Sequence, residues 1–358
     1  MKKLQILFFL FLSLFSCKQE EIVQNNMDDA IKRVAMANLI SGRMPGMAIG
    51  VITKEGEHRF YSFGTQNLST AEPIDEYTVF ELGSITKTFV GLLYADMVIN
   101  KKVTLNEEAN KYLPSGLQIP SKDGVPVSIE NLLNHTSGLP REPEILDINQ
   151  PLLYSETQMS DYLKSTSLLT KPGSTYLYSN TGMGLAGYMI KQITGVSFTQ
   201  SAKEKIFRPL NMNYTFCEDS EIPASNVAQG YWGNKPVDFL QFSDVFASAG
   251  IIKSNLHDML IYLDNAINTN NSVYKDAFEL AEKQTFSNGQ DLQIALGWHL
   301  SKLENNRIIW HNGGTNGFAS YIGFNKESKY GVVVLINGKC IGEESELGLE
   351  ILKLLDKY

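Results

Sequence analysis

Extended segments stand at both ends of this chain and helical ones fill its middle, and that order constrains the fold more than any other feature. Met47, Ile49 and Val51 alternate with smaller residues, Lys54-Glu55-Gly56-Glu57 supplies a turn, and Phe60 to Phe63 resumes the extended pattern, which predicts a β-hairpin. At the far end Arg307 to His311, Phe318 to Phe324 and Tyr330 to Ile336 read as strands, the last two joined by an Asn325-Lys326-Glu327-Ser328 turn. Leu347, Ile351, Leu354 and Leu355 then mark a closing helix. Ahead of the hairpin, Ala30, Ile31, Val34, Ala35 and Leu39 recur at helical spacing, with Asp28 as a candidate N-cap and Gly42 as a stop. From Ser84 to about Asn213 the pattern is mostly helical, with short helices at Thr104 to Tyr112 and Ser128 to Asn134 and a loop at Gly173 to Asn180. Strands separated in this way share a core by joining one sheet. The prediction is a mixed α/β (α+β) fold: a sheet built from both chain ends and flanked by helices, an inserted mostly helical lobe, and an active site in the cleft between them.

With 358 residues, 43% of them hydrophobic, the chain has core material for a two-lobed unit or two domains. Asp and Glu outnumber Lys and Arg by 39 to 31 and no long basic run occurs, which argues against a nucleic-acid partner. Lys2 and Lys3 precede an apolar stretch from Leu4 to Phe15, shorter than the roughly 20 residues a bilayer-spanning helix needs, so residues 1–16 read as a signal peptide. Leu14-Phe15-Ser16-Cys17 resembles the lipobox of bacterial lipoproteins. That resemblance implies lipidation of Cys17, a tether over 17–26 and a membrane-anchored lipoprotein of the periplasm or cell envelope; the alternative is ordinary cleavage without a lipid. Cys217 and Cys340 lack metal-ligand spacing and are expected to stay unbridged, and the histidines show no ligand pattern, so neither a metal nor a cofactor is expected.

Ser84-Ile85-Thr86-Lys87 places a serine and a lysine three apart, on one face of a helix. A serine hydroxyl is a weak nucleophile until a neighbouring base takes its proton, and Lys87 could do so if burial and nearby positive charge lowered its pKa. Gly83 permits a tight entry into the helix. The same spacing recurs at Ser272-Val273-Tyr274-Lys275, but that copy follows the polar Asn268 to Asn271 stretch and lacks an apolar lead-in, so it is assigned to the surface.

The segment Phe80-Glu81-Leu82-Gly83-Ser84-Ile85-Thr86-Lys87-Thr88-Phe89 closely resembles the nucleophile segment of class C β-lactamases. Tyr178-Ser179-Asn180, after Lys171-Pro172-Gly173, matches a second motif of that family, and His311-Asn312-Gly313 a third, with Leu132 to Pro140 and Ser248-Ala249-Gly250 among the similar flanks. The resemblance covers roughly Met27 to the C-terminus. It implies a β-lactamase/transpeptidase-like fold with an antiparallel sheet, a single catalytic domain over 27–358, and a serine hydrolase that forms an acyl-enzyme at Ser84; the expected oligomeric state, apart from that resemblance, is a monomer. The resemblance further implies that Lys87 and Tyr178 shuttle the proton, a phenol near a cation ionising more easily. Asn180, which also stands where a helix N-cap would, is to bind the substrate amide and help fix Lys87. The backbone N–H groups of Ser84 and of Gly314, beside Gly313, are to form the oxyanion hole.

His311 is to supply a donor and partial positive charge toward a substrate carboxylate or Tyr178. His135 is read as structural and Trp298 as core or cleft wall. Class C enzymes usually carry lysine, a permanent point charge, where this chain has His311. The acidic stretch Cys340-Ile341-Gly342-Glu343-Glu344 is expected to repel a substrate carboxylate. Substrates implied are a β-lactam or D-Ala-D-Ala-like peptide. Histidine at this position also fits a carboxylesterase or D-amino-acid peptidase acting on an ester or D-amino-acid peptide, and a binding protein without turnover is the alternative from another class.

Overall fold

The computed structural model describes residues 27–39, 44–143 and 152–358. The expected leader, Cys17 and its tether, and the Gly42 stop lie outside the described residues. Helix α1 spans 27–39, followed by strands β1 (Gly46–Ile52), β2 (His58–Gly64) and β3 (Phe80–Glu81). The inserted lobe carries helices α2 (Thr86–Ile99), α3 (Ile129–Leu133), α4 (Glu156–Ser165), α5 (Asn180–Thr194) and α6 (Phe198–Ala202). Strands β4 (Gly230–Trp232) and β5 (Lys235–Val237) form a small hairpin; α7 (Ala247–Gly250), β6 (Lys253–Ser254), α8 (Leu256–Ile267) and α9 (Lys275–Ala281) follow. Strands β7 (Phe286–Ser287), β8 (Gln293–Ile294), β9 (His299–Leu303), β10 (Asn306–Gly314), β11 (Ala319–Asn325) and β12 (Tyr330–Ile336) lead to α10 (Glu343–Lys357).

One antiparallel sheet holds eight strands in the order β2-β1-β12-β11-β10-β9-β8-β7. The first hairpin and the last strand are thus neighbours, with Ala48 opposite Leu335 and Ile49 opposite Val334. Every residue of β1 and β12 is buried, because both sheet faces are covered. Side chains alternate across a strand, so β12 sends Val332, Val334 and Ile336 to a core shared with Ile31 and Ala35 of α1 and Leu347 and Ile351 of α10. Val333 and Leu335 point the other way, into the core containing Leu256 and Leu260 of α8 and Phe89 of α2. Burying such side chains stabilises the fold by about 1.5 to 3 kcal/mol each.

Three local readings change. Asp28 lies inside α1, and its carboxylate accepts hydrogen bonds from Arg59 Nη1 at 2.8 Å and Tyr61 Oη at 2.5 Å, fastening the helix to β2 instead of capping it. Thr104 to Tyr112 forms only a 3-10 turn at Ala109–Tyr112. Its backbone is engaged elsewhere: Ala109 N–H donates to Val127, while the Leu105 and Glu107 carbonyls accept from Glu130 and Ile129. Strands β7 to β9 extend the sheet beyond the three expected at this end. Ser272 to Lys275 leads into α9 at the surface, with Val273 75% exposed. Cys217 and Cys340 are buried and not bridged.

Candidate active site

The nucleophile segment is pinned before it turns: Leu82 N–H donates to the Ile252 carbonyl at 3.0 Å, and Gly83, at φ +51°, opens a 3-10 turn over Gly83–Ile85 that runs into α2. A side chain there would collide with β10, since a Cβ on Gly83 would stand 2.9 Å from the Gly314 nitrogen. Ser84 is left half-buried at the edge of the cleft, and Lys87 is wholly buried. Lys87 Nζ donates to Ser84 Oγ at 2.9 Å and to the Ala249 carbonyl at 2.6 Å. Burial, assisted by the Arg141 charge, holds the Lys87 ammonium well below the usual lysine range, which favours the neutral amine.

Tyr178 arrives from the loop before α5. Its ring lies 5.0 Å from Lys87 Nζ and 4.9 Å from the Arg141 guanidinium, and stacks on His135 at 4.3 Å. The Ser84 hydroxyl hydrogen-bonds to the phenol. Contrary to the expected easier ionisation, burial pushes the Tyr178 hydroxyl up to about 12, outweighing Ser84 and Arg141, so the phenol keeps its proton. His135 is scaffold, as read: Nδ1 accepts the Ser179 N–H at 3.1 Å and its carbonyl accepts the Leu177 N–H at 2.8 Å. The N-cap of α5 is Ser179, whose Oγ accepts the Gly182 N–H at 2.9 Å, and Asn180 is the first helical residue. Asn180 Nδ2 donates to Glu142 Oε1 at 2.5 Å, not to the lysine it was expected to fix, and its Oδ1 is buried with no partner among the described residues.

His311 lies on β10 behind Tyr178, their ring centres 6.3 Å apart. It is 1% exposed, its Nδ1 sits 2.6 Å from the Asn312 carbonyl, and burial together with the neighbouring His299 pushes the imidazole well below its usual range. Burial thus works against the expected partial positive charge; the Asn312 carbonyl can only accept, so Nδ1 donates to it, and in the uncharged ring Nε2 is left as an acceptor. Gly313 and Gly314 follow on the same strand, where a Cβ on Gly313 would stand 2.0 Å from the Leu82 carbonyl and 3.0 Å from the Ser84 nitrogen. The amides of Ser84 and Gly314 thus sit on backbones in direct contact.

The expected repulsion after β12 is also revised. Glu344 is buried and accepts from Asn312 Nδ2 at 3.0 Å and Gly342 N–H at 2.6 Å, while Lys339 lines the Ser84 cleft, its Nζ 3.8 Å above the Trp232 ring. Sequence reasoning missed Lys339, Arg141 and Glu142. The adjacent opposite charges just after Leu139-Pro140 were the available signal for the last two. Trp298 is core, 1% exposed and edge-on to Phe324.

Comparison with known proteins agrees with this architecture. The profile of the family described as Beta-lactamase matches residues 20–352. The chain is 26% identical to a beta-lactamase of Escherichia coli over 355 residues, covering 87% of this chain and 89% of that protein. It is 26% identical to a beta-lactamase of Pseudomonas fluorescens, covering 82% and 88%. Among solved structures, a class C beta-lactamase superposes with a TM-score of 0.80 at 25% identity, covering 92% of this chain and 96% of that one. A beta-lactamase/D-alanine carboxypeptidase from Pseudomonas syringae also gives 0.80, at 23% identity, covering 92% and 99%.

Proposed function

Because this chain belongs to the beta-lactamase family and is a serine hydrolase of that type, we propose that Ser84 attacks the carbonyl of a β-lactam or D-Ala-D-Ala-like amide and that water later hydrolyses the resulting ester. The observation that carries this reading is the 2.9 Å contact between Ser84 Oγ and the amine of Lys87, a fully buried lysine whose ammonium burial disfavours. As the Oγ–C bond forms, the hydroxyl proton passes to Lys87 Nζ, and Tyr178 relays a proton to the nitrogen that departs when the C–N bond breaks. The Ser84 and Gly314 amides meet the oxyanion. Asn180 Oδ1, which has no partner among the described residues, accepts from the substrate amide. A fluorescent penicillin should label the wild type and leave Ser84→Ala unlabelled. Equal labelling of both proteins would reject the assignment.

A second reading, a carboxylesterase or D-amino-acid peptidase using the same residues, is favoured by one observation, a buried histidine, His311, on β10 in place of a lysine. Turnover of a short p-nitrophenyl ester far faster than nitrocefin would select it, and the reverse would reject it. We also propose that the mature protein is a monomer held at the cell envelope through Cys17, with its catalytic unit over 27–358, supported by Lys2-Lys3, the Leu4 to Phe15 stretch and the lipobox-like Leu14 to Cys17. Cys17→Ala should release it from the membrane fraction.

A further inference from the structure

Glu81 is a buried carboxylate that the chemistry above does not use. It lies on β3, three residues before Ser84, and is 2% exposed. Its Oε2 accepts the Thr315 hydroxyl at 2.6 Å and its Oε1 accepts the Leu240 backbone N–H at 2.8 Å. Thr315 directly follows Gly314 and closes the turn after β10 through its own N–H, donated to the Phe318 carbonyl at 3.0 Å. Leu240 lines the Ser84 cleft. One side chain therefore joins three parts of the site: the nucleophile segment, the end of β10 and the cleft wall. On the adjoining strand, Ser320 Oγ donates to the Leu82 carbonyl at 2.8 Å. Between these two ties lie the touching backbones of Gly83 and Gly313-Gly314.

We propose that Glu81 is a positioning residue for the oxyanion-binding amides, holding Gly314 against Ser84 through Thr315 while keeping the Leu240 wall on the same centre. The inference rests on the reading of Ser84 and Gly314 as oxyanion donors. Such donors work because they are fixed in advance where charge will develop, and a displacement of about 1 Å can cost on the order of 100-fold in rate. A carboxylate suits the task since both of its oxygens accept, one for each donor, whereas a glutamine has a single acceptor oxygen. Burial of this carboxylate is also costly. It pushes the Glu81 carboxyl up to about 7 against the opposing Thr315 hydrogen bond and Lys253 charge, a strain that an apolar residue at the same place would avoid.

The test compares Glu81→Gln, Thr315→Val, Thr315→Ser and the Glu81→Gln/Thr315→Val double variant, with kcat and KM measured on nitrocefin and a p-nitrophenyl ester and melting followed by circular dichroism. Glu81→Gln and Thr315→Val should each lower kcat by about 10- to 100-fold with KM little changed, as expected when only transition-state contacts are lost. The double variant should be no worse than its poorer parent, since both changes cut one link. Thr315→Ser, which keeps the hydroxyl, should recover most of the rate. A folded Thr315→Val with wild-type kcat, or a Thr315→Ser as impaired as Thr315→Val, would overturn the proposal, and the threonine variants decide it even if Glu81→Gln does not fold. Ser84→Ala in parallel keeps the two readings apart. Activity that survives Ser84→Ala sinks the nucleophile assignment, whereas activity lost there but untouched in Thr315→Val sinks only the role of Glu81.

Discussion

Lys87 shares no surface with water, and among the described residues its amine hydrogen-bonds to a serine hydroxyl and a main-chain carbonyl. Burial, with the Arg141 charge beside it, holds the amine below its usual range, and the deprotonated form is the one able to act as a base. Because that form predominates above the lowered value, kcat/KM should fall as pH drops through it. Lys87→Arg, whose guanidinium does not deprotonate in proteins, should lose about 100- to 10,000-fold in rate, and the acid limb assigned to Lys87 should disappear. An arginine variant with an unaltered pH profile would remove Lys87 from the proton path. At this scale the sequence identified Ser84, Lys87, Tyr178, Asn180 and His311, since each sits in a short motif with a spacing of its own. The charge states of Tyr178 and His311 escaped it. Both depend on how much protein surrounds the ring, and the neighbours that matter, among them Ser84, Lys87, His135, Arg141 and His299, lie far apart along the chain.

Among the elements, β12 has neighbours on every side: β1 and β11 on its edges and helices over both faces. Leu335→Ala, at a fully buried position facing α8, should therefore lower unfolding free energy by about 2 to 5 kcal/mol, read from denaturant titration with an unchanged slope. A loss well under 1 kcal/mol would mean that the core there is loosely packed. The hairpin, β10 to β12 and the closing helix were legible because their alternation or helical spacing runs over several residues. Strands β7 and β8, at two residues each, carry no period to detect. Residues 104–112 have a helical pattern, yet the backbones of Leu105, Glu107 and Ala109 pair with the segment Val127 to Glu130.

Across the molecule, buried acids make stability depend on pH. Burial pushes the Glu282 carboxyl up to about 8, with Lys326 as its opposing partner. The folded state then binds this proton more tightly than the unfolded chain, whose carboxyl titrates near 4.5. Its contribution is accordingly full below 4.5 and is lost as pH rises through about 8. Melting temperature should decline across that window in the wild type and decline less in Glu282→Gln; identical profiles would exclude the residue as a source. The largest-scale feature has a different reach. Because β12 is seated between β1 and β11, a ribosome building this protein releases Ser84 long before the strands that must face it. The nascent chain carries its nucleophile early and can assemble a working centre only when synthesis is nearly finished.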